Sequence, residues 1–206
     1  MREAWLPPRP PSDPPLLRAT GWFLGYRKGP LAMYALREYV GVAPVDLALR
    51  RLLAAHAGGA PPLPTTRDLY RELEAVTPDS LRYLVHDLFA ANTLWELATE
   101  TVSGEPGPNG TTRLTLDVRA RKITVDTGGT VRELPMNDLV EIGAFADGAG
   151  RAQGASVYRR LHRIRSGRQR VTITVPAGAA WAGIDPRHLL FDLDPQDNVA
   201  RLRQAR

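Results

Sequence analysis

Apolar positions recur three and four residues apart from residue 29 to about residue 92, the spacing of one helix face. Gly29-Pro30 opens the first predicted helix, because the missing proline N–H falls where a helix has no internal acceptor to lose. Leu31, Tyr34, Ala35 and the pair Glu38/Tyr39 keep its period, and Gly41 is placed to end it. A second helix is predicted from about Pro44 to His56, with Val45, Leu49, Leu52 and Leu53 as its stripe and Arg50 and Arg51 opposite. Gly58-Gly59 and Pro61, Pro62 and Pro64 break it. Thr65 and Asp68 form a capping-box pattern for a third helix carrying Leu69 and Leu73. Thr77-Pro78-Asp79 opens a fourth, with Thr77 as the expected cap and Leu81, Leu84, Val85, Leu88 and Phe89 as its buried face. Short loops between such helices imply stacked antiparallel hairpins.

After Asn92 the period falls to two. Predicted strands run from Trp95 to Ser103, Arg113–Val118 (Leu114, Leu116 and Val118 inward), Lys122–Asp126, Val131–Leu134, Leu139–Ala146, Val157–Ile164 and Arg170–Val175, and His188–Phe191 is a further candidate. Gly104–Gly110 is a dense turn segment, Thr127-Gly-Gly-Thr130 a hairpin turn, and Ser166-Gly167 a tight connection. The expected fold class is therefore α+β: N-terminal antiparallel helical hairpins followed by an antiparallel β-sandwich. The expected organisation is a proline-rich, disordered lead-in over 1–21, a helical segment over 22–92 and a sandwich over 93–206.

Composition narrows the chemistry. Cysteine is absent, which removes disulfides, thiolate metal sites and a cysteine nucleophile. The four histidines, His56, His86, His162 and His188, never share a helix turn, so no self-contained zinc site is expected. The net charge of +5 is unevenly spread. Residues 1–110 hold 11 basic and 12 acidic side chains, residues 111–150 hold 5 and 6, and residues 151–206 hold 11 and 4. Only Lys28 and Lys122 are lysines among 27 basic residues, a bias that fits base composition better than a demand for guanidinium chemistry. No run approaches the ~18 apolar residues of a membrane helix. The N-terminus lacks an apolar signal region, and its Pro8, Pro11 and Pro14 have the spacing of a PxxP ligand.

Three segments invite a functional reading. Tyr26-Arg-Lys-Gly29 places a phenol ahead of the first helix, where it could donate to an anion, or where Trp22, Phe23 and Tyr26 could simply anchor the helix. Asp192-Leu-Asp194-Pro-Gln-Asp197-Asn198 gathers three carboxylates, but it lacks the glycine and the terminal glutamate of a helix–loop–helix calcium loop and reads as an Asx-rich turn. The basic run Arg159, Arg160, Arg163, Arg165, Arg168 and Arg170, with His162, reads as a phosphate-binding patch or as a solvated, edge-protecting strand face. The glycines Gly148, Gly150 and Gly154 have no strand–turn–helix around them and do not make a phosphate loop.

Together, several segments resemble one family. Tyr26-Arg-Lys-Gly-Pro-Leu-Ala-Met-Tyr-Ala-Leu-Arg-Glu-Tyr-Val-Gly41 looks like the tyrosine-bearing helix start of zinc aminopeptidases of the aminopeptidase N (gluzincin) family. Leu81–Phe89 with Thr93-Leu-Trp95, Leu134–Gly143, His162–Gly167, and Ala182–Pro186 through Asp194–Val199 sharpen the likeness. They point to a bacterial subgroup in which such a domain is fused behind an ABC-type permease. The resemblance spans about residues 22–203 and rests on the order of the pieces.

The resemblance implies a metallopeptidase, a hydrolase that uses zinc and a glutamate to deliver water to an N-terminal peptide bond. It implies that Tyr26 stabilises the transition-state oxyanion. The family's HExxH helix and further glutamate ligand precede that tyrosine and have no counterpart in this chain, so no metal ligand and no cofactor is expected here. The expectation is a C-terminal fragment, inactive alone, whose partners are the missing N-terminal catalytic half or a permease, with peptide as the substrate of the whole. Full-length relatives are membrane-tethered, whereas no direct membrane insertion and no signal peptide are expected of this chain. Two alternatives stay open: a non-catalytic interaction module of helices and sandwich, and a basic nucleic-acid-binding domain, although no nucleic acid is the expectation.

Overall fold

The computed structural model describes residues 12–22, 24–148 and 154–203. Pro8, Pro11, Phe23 and Gly150 lie outside the described residues. Contacts divide the chain into two compact units, Met1–Thr93 with Thr124–Arg132, and Leu94–Ile123 with Glu133–Arg206. The second unit therefore begins within the first strand, and a hairpin from the middle of the chain belongs to the first.

The first unit is built on helices. Leu16–Arg18 closes a 3₁₀ turn with Leu16 buried, so the end of the proline-rich segment joins this unit. A π turn, Leu24–Lys28, runs directly into α1 (Gly29–Val40), which Gly41 ends at a φ of 106°. Then come α2 (Val42–Ala55) and α3 (Thr66–Val76), and α3 starts at the expected capping box. The Asp68 carboxylate accepts from Thr65 N and Oγ1 at 2.8 and 2.7 Å, and these bonds hold it down at about 2. Thr77 differs from its expected role. Its hydroxyl donates back to the Leu73 carbonyl at 2.6 Å and so closes the C-terminus of α3 instead of capping the next helix. The fourth helical segment changes pitch along its length. A 3₁₀ turn at Asp79–Leu81 leads into α4 (Arg82–Val85), which ends in a π turn at His86–Ala90.

The second unit is an antiparallel two-sheet sandwich, so the chain is α+β. One sheet contains β1 (Thr93–Pro106), β2 (Thr111–Val125), β3 (Val131–Leu134) and β6 (Gly167–Pro176), with β6 lying along Thr111–Ala120 of β2. The other has the order β5-β4-β7-β8, from β4 (Asn137–Ala146), β5 (Ser156–Arg165), β7 (Ala179–Ile184) and β8 (Val199–Arg201). Ser166 and Gly167, the latter at a φ of 94°, carry the chain from one sheet to the other. Leu114, Leu116 and Val118 are buried as expected, facing a core that includes Val140, Ile142, Ile164, Ile173 and Ile184.

Three strand expectations change. The two strands expected over Arg113–Val118 and Lys122–Asp126 form one, because Ala120 and Lys122 continue the inward face. Lys122 is tolerated there by Asp138 of β4, 3.1 Å away, whose carboxylate also accepts from Trp95 Nε1 at 3.2 Å. His188–Phe191 is not a strand. Asp185 and His188 take positive φ, and the Asp185 carboxylate accepts from Leu189 N and Leu190 N, so these donors never reach a ladder. β7 and β8 are additional. The Ala- and Gly-rich sequence of β7 conceals the alternation and β8 is only three residues long, and Gly183 is needed because a Cβ there would strike the Asn198 carbonyl.

Candidate functional site

Tyr26 sits inside the π turn, not ahead of a helix. Gly25 N already donates to Gly21 O at 3.2 Å, and Lys28 keeps helical dihedrals into α1. The expected bare helix N-terminus beside the phenol is therefore absent. The physical reason is Pro30. In a regular α-helix its ring would press on the carbonyl four residues earlier, that of Tyr26, and the wider π turn relieves that contact.

The side chains of this turn go opposite ways. Tyr26 is 78% exposed and Trp22 71% exposed, so neither anchors the helix. Lys28 and Leu24 do that instead. Lys28 is wholly buried and donates to Asn92 Oδ1 at 2.8 Å. Asn92 is itself held by the end of β2. Its Nδ2 donates to Val125 O at 3.2 Å, and its carbonyl accepts from Val125 N at 3.1 Å. Burial lowers the Lys28 amine to about 8, against the opposing pull of Asp13. Beside the turn lies a largely apolar hollow of about 360 Å³, lined among others by Leu16, Gly25, Gly29, Met33, Leu69 and Phe89.

The other segments resolve differently. The basic run is largely paired. Arg168 reaches Glu100 at 2.9 Å, Arg170 reaches Asp117 at 3.0 Å, Arg159 approaches Glu141 at 3.7 Å, and Arg163 donates to Asn137 O at 2.8 Å. Arg160 lies over the Tyr158 ring, and Tyr158 Oη meets His162 Nε2 at 2.7 Å. Burial, with Arg160 nearby, lowers the His162 imidazole. Such pairing suits a salt-bridged sheet face better than a row of guanidinium groups awaiting phosphates.

The Asp192–Asn198 loop is an Asx-rich turn as expected: Asp194 N donates to Asp192 Oδ1 and Gln196 N to Asp194 Oδ1. Sequence reasoning missed how deeply Asp192 is buried, at 2% exposure. Desolvation first, and the neighbouring Asp185 carboxylate second, push its carboxyl up to about 8. It missed the Lys122–Asp138 pair as well, and Glu141, buried against Arg187 at 2.9 Å. The signal available for Asp138 was an acidic residue in step with the inward Val140 and Ile142 of β4, whereas Glu141 falls on the opposite face and carried no such signal.

Among the described residues no three His, Asp or Glu side chains converge on a point where they could share a metal ion. His56, His86, His162 and His188 stay dispersed over the turn that ends α2, the fourth helical segment, β5 and the turn after β7. The residues present do not fit the zinc centre of the resembled family. No family model matches the chain, and no curated protein matches it.

Proposed function

We propose that the chain is the tyrosine-bearing helical part and β-sandwich of an aminopeptidase N-like protein. In this reading it contributes an oxyanion donor to a peptidase site whose zinc ligands lie on a separate segment, and it does not cleave peptides by itself. One observation carries the reading. Tyr26 presents its phenol to solvent from a turn whose next residue but one is buried and hydrogen-bonded.

That is what a transition-state donor requires. When water adds to a peptide carbonyl, negative charge appears on oxygen only as the carbon becomes tetrahedral. A phenol held at that position gains a stronger hydrogen bond in the transition state than in the ground state, which lowers the barrier. The anchor at Lys28 keeps the turn from reorganising at that moment.

Reconstitution tests the reading. The chain would be mixed with a zinc-bearing fragment of an aminopeptidase N family enzyme cut before its own tyrosine, and turnover of an aminoacyl p-nitroanilide followed. The expected outcome is no turnover by this chain alone with added zinc, activity in the mixture, and kcat lowered about 10²–10³-fold by Tyr26→Phe. Equal rescue by the Phe variant would leave a binding module without a catalytic tyrosine. Absence of rescue by either form would overturn the proposal.

A second reading, an interaction module, is favoured by the apolar side chains that the helical unit leaves exposed. Leu53 is 69% and Leu63 63% exposed, alongside Trp22.

A further inference from the structure

β5 stands at the end of the sheet order β5-β4-β7-β8, so β4 pairs with one of its sides and the other is open. The bonds at its C-terminal end show which main-chain groups face that open side. Arg165 N donates to Gln169 Oε1 at 3.3 Å, and Gln169 Nε2 donates to Arg165 O at 2.7 Å. The Gln169 amide thus does for Arg165 what a neighbouring strand would do. Alternate residues of a strand in an antiparallel ladder send both main-chain groups to the same side. Arg163, Leu161 and Arg159 therefore present their N–H and C=O groups to the open side as well. The register agrees. Glu141, opposite Leu161, accepts from Asp185 N on the side of β4 away from β5. Among the described residues no strand lies against Arg159, Leu161 and Arg163.

The side chains of this edge carry an excess of positive charge. Arg159 is 3.7 Å from Glu141, a carboxylate already held by Arg187. Arg163 donates to the neutral Asn137 carbonyl, and Arg160 lies over the Tyr158 ring. On β6, by contrast, Arg168 and Arg170 are matched by Glu100 and Asp117. Leu161, 39% exposed, stands between Arg159 and Arg163 on one face of the strand. An unpaired edge is a template for another strand. A second copy of β5 is a poor one, because two such edges would set arginine against arginine, and like charges directly opposite destabilise a pair. A strand with carboxylates at alternate positions on one face turns the same charges into attraction.

We propose that the open edge of β5, over residues 159–163, is a docking strand for an extended acidic segment of a partner protein. The segment adds a strand to the sheet. Its main chain pairs with Arg159, Leu161 and Arg163, with acidic side chains opposite the two arginines and an apolar one opposite Leu161. Gln169 closes the edge at Arg165 and so fixes where the pairing stops. The site lies within the sandwich unit and does not depend on Tyr26.

Fluorescence anisotropy of the full chain with a fluorescein-labelled peptide of the repeat Glu-Thr-Val-Thr tests this. Saturable binding tighter than about 1 mM is expected, with none for the counterpart that has Lys in place of Glu. The Glu peptide N-methylated throughout keeps its charge but has no main-chain donors, and it is expected not to bind. Leu161→Pro removes an outward N–H that the fold leaves unused and is expected to abolish binding. Arg163→Glu is expected to weaken it about tenfold. Hydrogen exchange at the Arg159, Leu161 and Arg163 amides is expected to slow when the peptide is bound. If Leu161→Pro does not fold by circular dichroism, the N-methylated peptide and Arg163→Glu decide. No saturable binding, equal binding of the N-methylated peptide, unchanged affinity in Arg163→Glu, slowed amides on β6 in place of β5, or equally tight binding of an oligothymidylate of the same charge overturns the proposal.

Discussion

Between Tyr26 and Lys28 the helix turns a phenol out to water and an ammonium in to the core. The lysine has a measurable signature. Its folded-state value of about 8 lies below the ordinary 10.5, so between those values the folded chain binds fewer protons than the unfolded chain. Stability therefore rises with pH across that window. Relative to Lys28→Met, the wild-type chain is expected to gain up to about 3 kcal/mol between pH 7 and pH 10.5, read from urea unfolding of both proteins. A flat difference would mean that the ammonium is solvated. Tyr26 was legible in the sequence as a candidate because it stands in a recognisable run. Lys28, its buried neighbour, was not. A lysine two residues away reads as solvent-facing until Asn92, 64 residues later, is seen to receive it.

At the scale of elements, local chemistry and long-range packing divide cleanly. The α3 start was readable because a capping box is complete within four residues, Thr65 to Asp68. The end of α1 at Gly41 was readable for the same reason. Thr77-Pro78-Asp79 satisfies the rules for a cap just as well, yet Thr77 bonds backwards to Leu73, an alternative equally local and invisible without coordinates. β7 depends on something the sequence does not display, the close passage of the chain at Asn198. Gly183→Ala would drive a methyl into the Asn198 carbonyl and against Val199 Cα. The substitution is expected to cost about 1–3 kcal/mol, seen as a lower melting temperature, because the same carbonyl is held by the Thr99 hydroxyl and cannot move without breaking that bond. A melting temperature equal to wild type would show that the loop can step aside without loss.

Over the whole molecule, charge is arranged by pairing across distant segments. Lys122 and Asp138, both nearly shielded from water, link the two sheets, and Trp95 shares the carboxylate. Lys122→Met would leave Asp138 charged, buried and short of its cation. The expected loss is about 3–5 kcal/mol, measured by chemical denaturation. The double variant Lys122→Met/Asp138→Leu should recover much of it, whereas an equal loss in the double variant would place the effect in packing and not in charge. The same cross-strand pairing accounts for the basic run. Its arginines face Glu100, Asp117 and Glu141, none of which is near them in sequence.

The sequence by itself determined the fold class, three of the helix boundaries to within a few residues, the inward face of β2 and the identity of the tyrosine worth testing. These depend on periodicity and on contacts closed within one turn, and both are written in consecutive residues. Tertiary structure decided the rest: that Lys28, Lys122 and Asp138 are core residues, that two expected strands are one, and that Asp192, at the head of an apparently ordinary Asx turn, is buried. The physical reason is common to all of them. Burying a charge or a polar atom depends on what lies across the fold, and that partner comes from far along the chain.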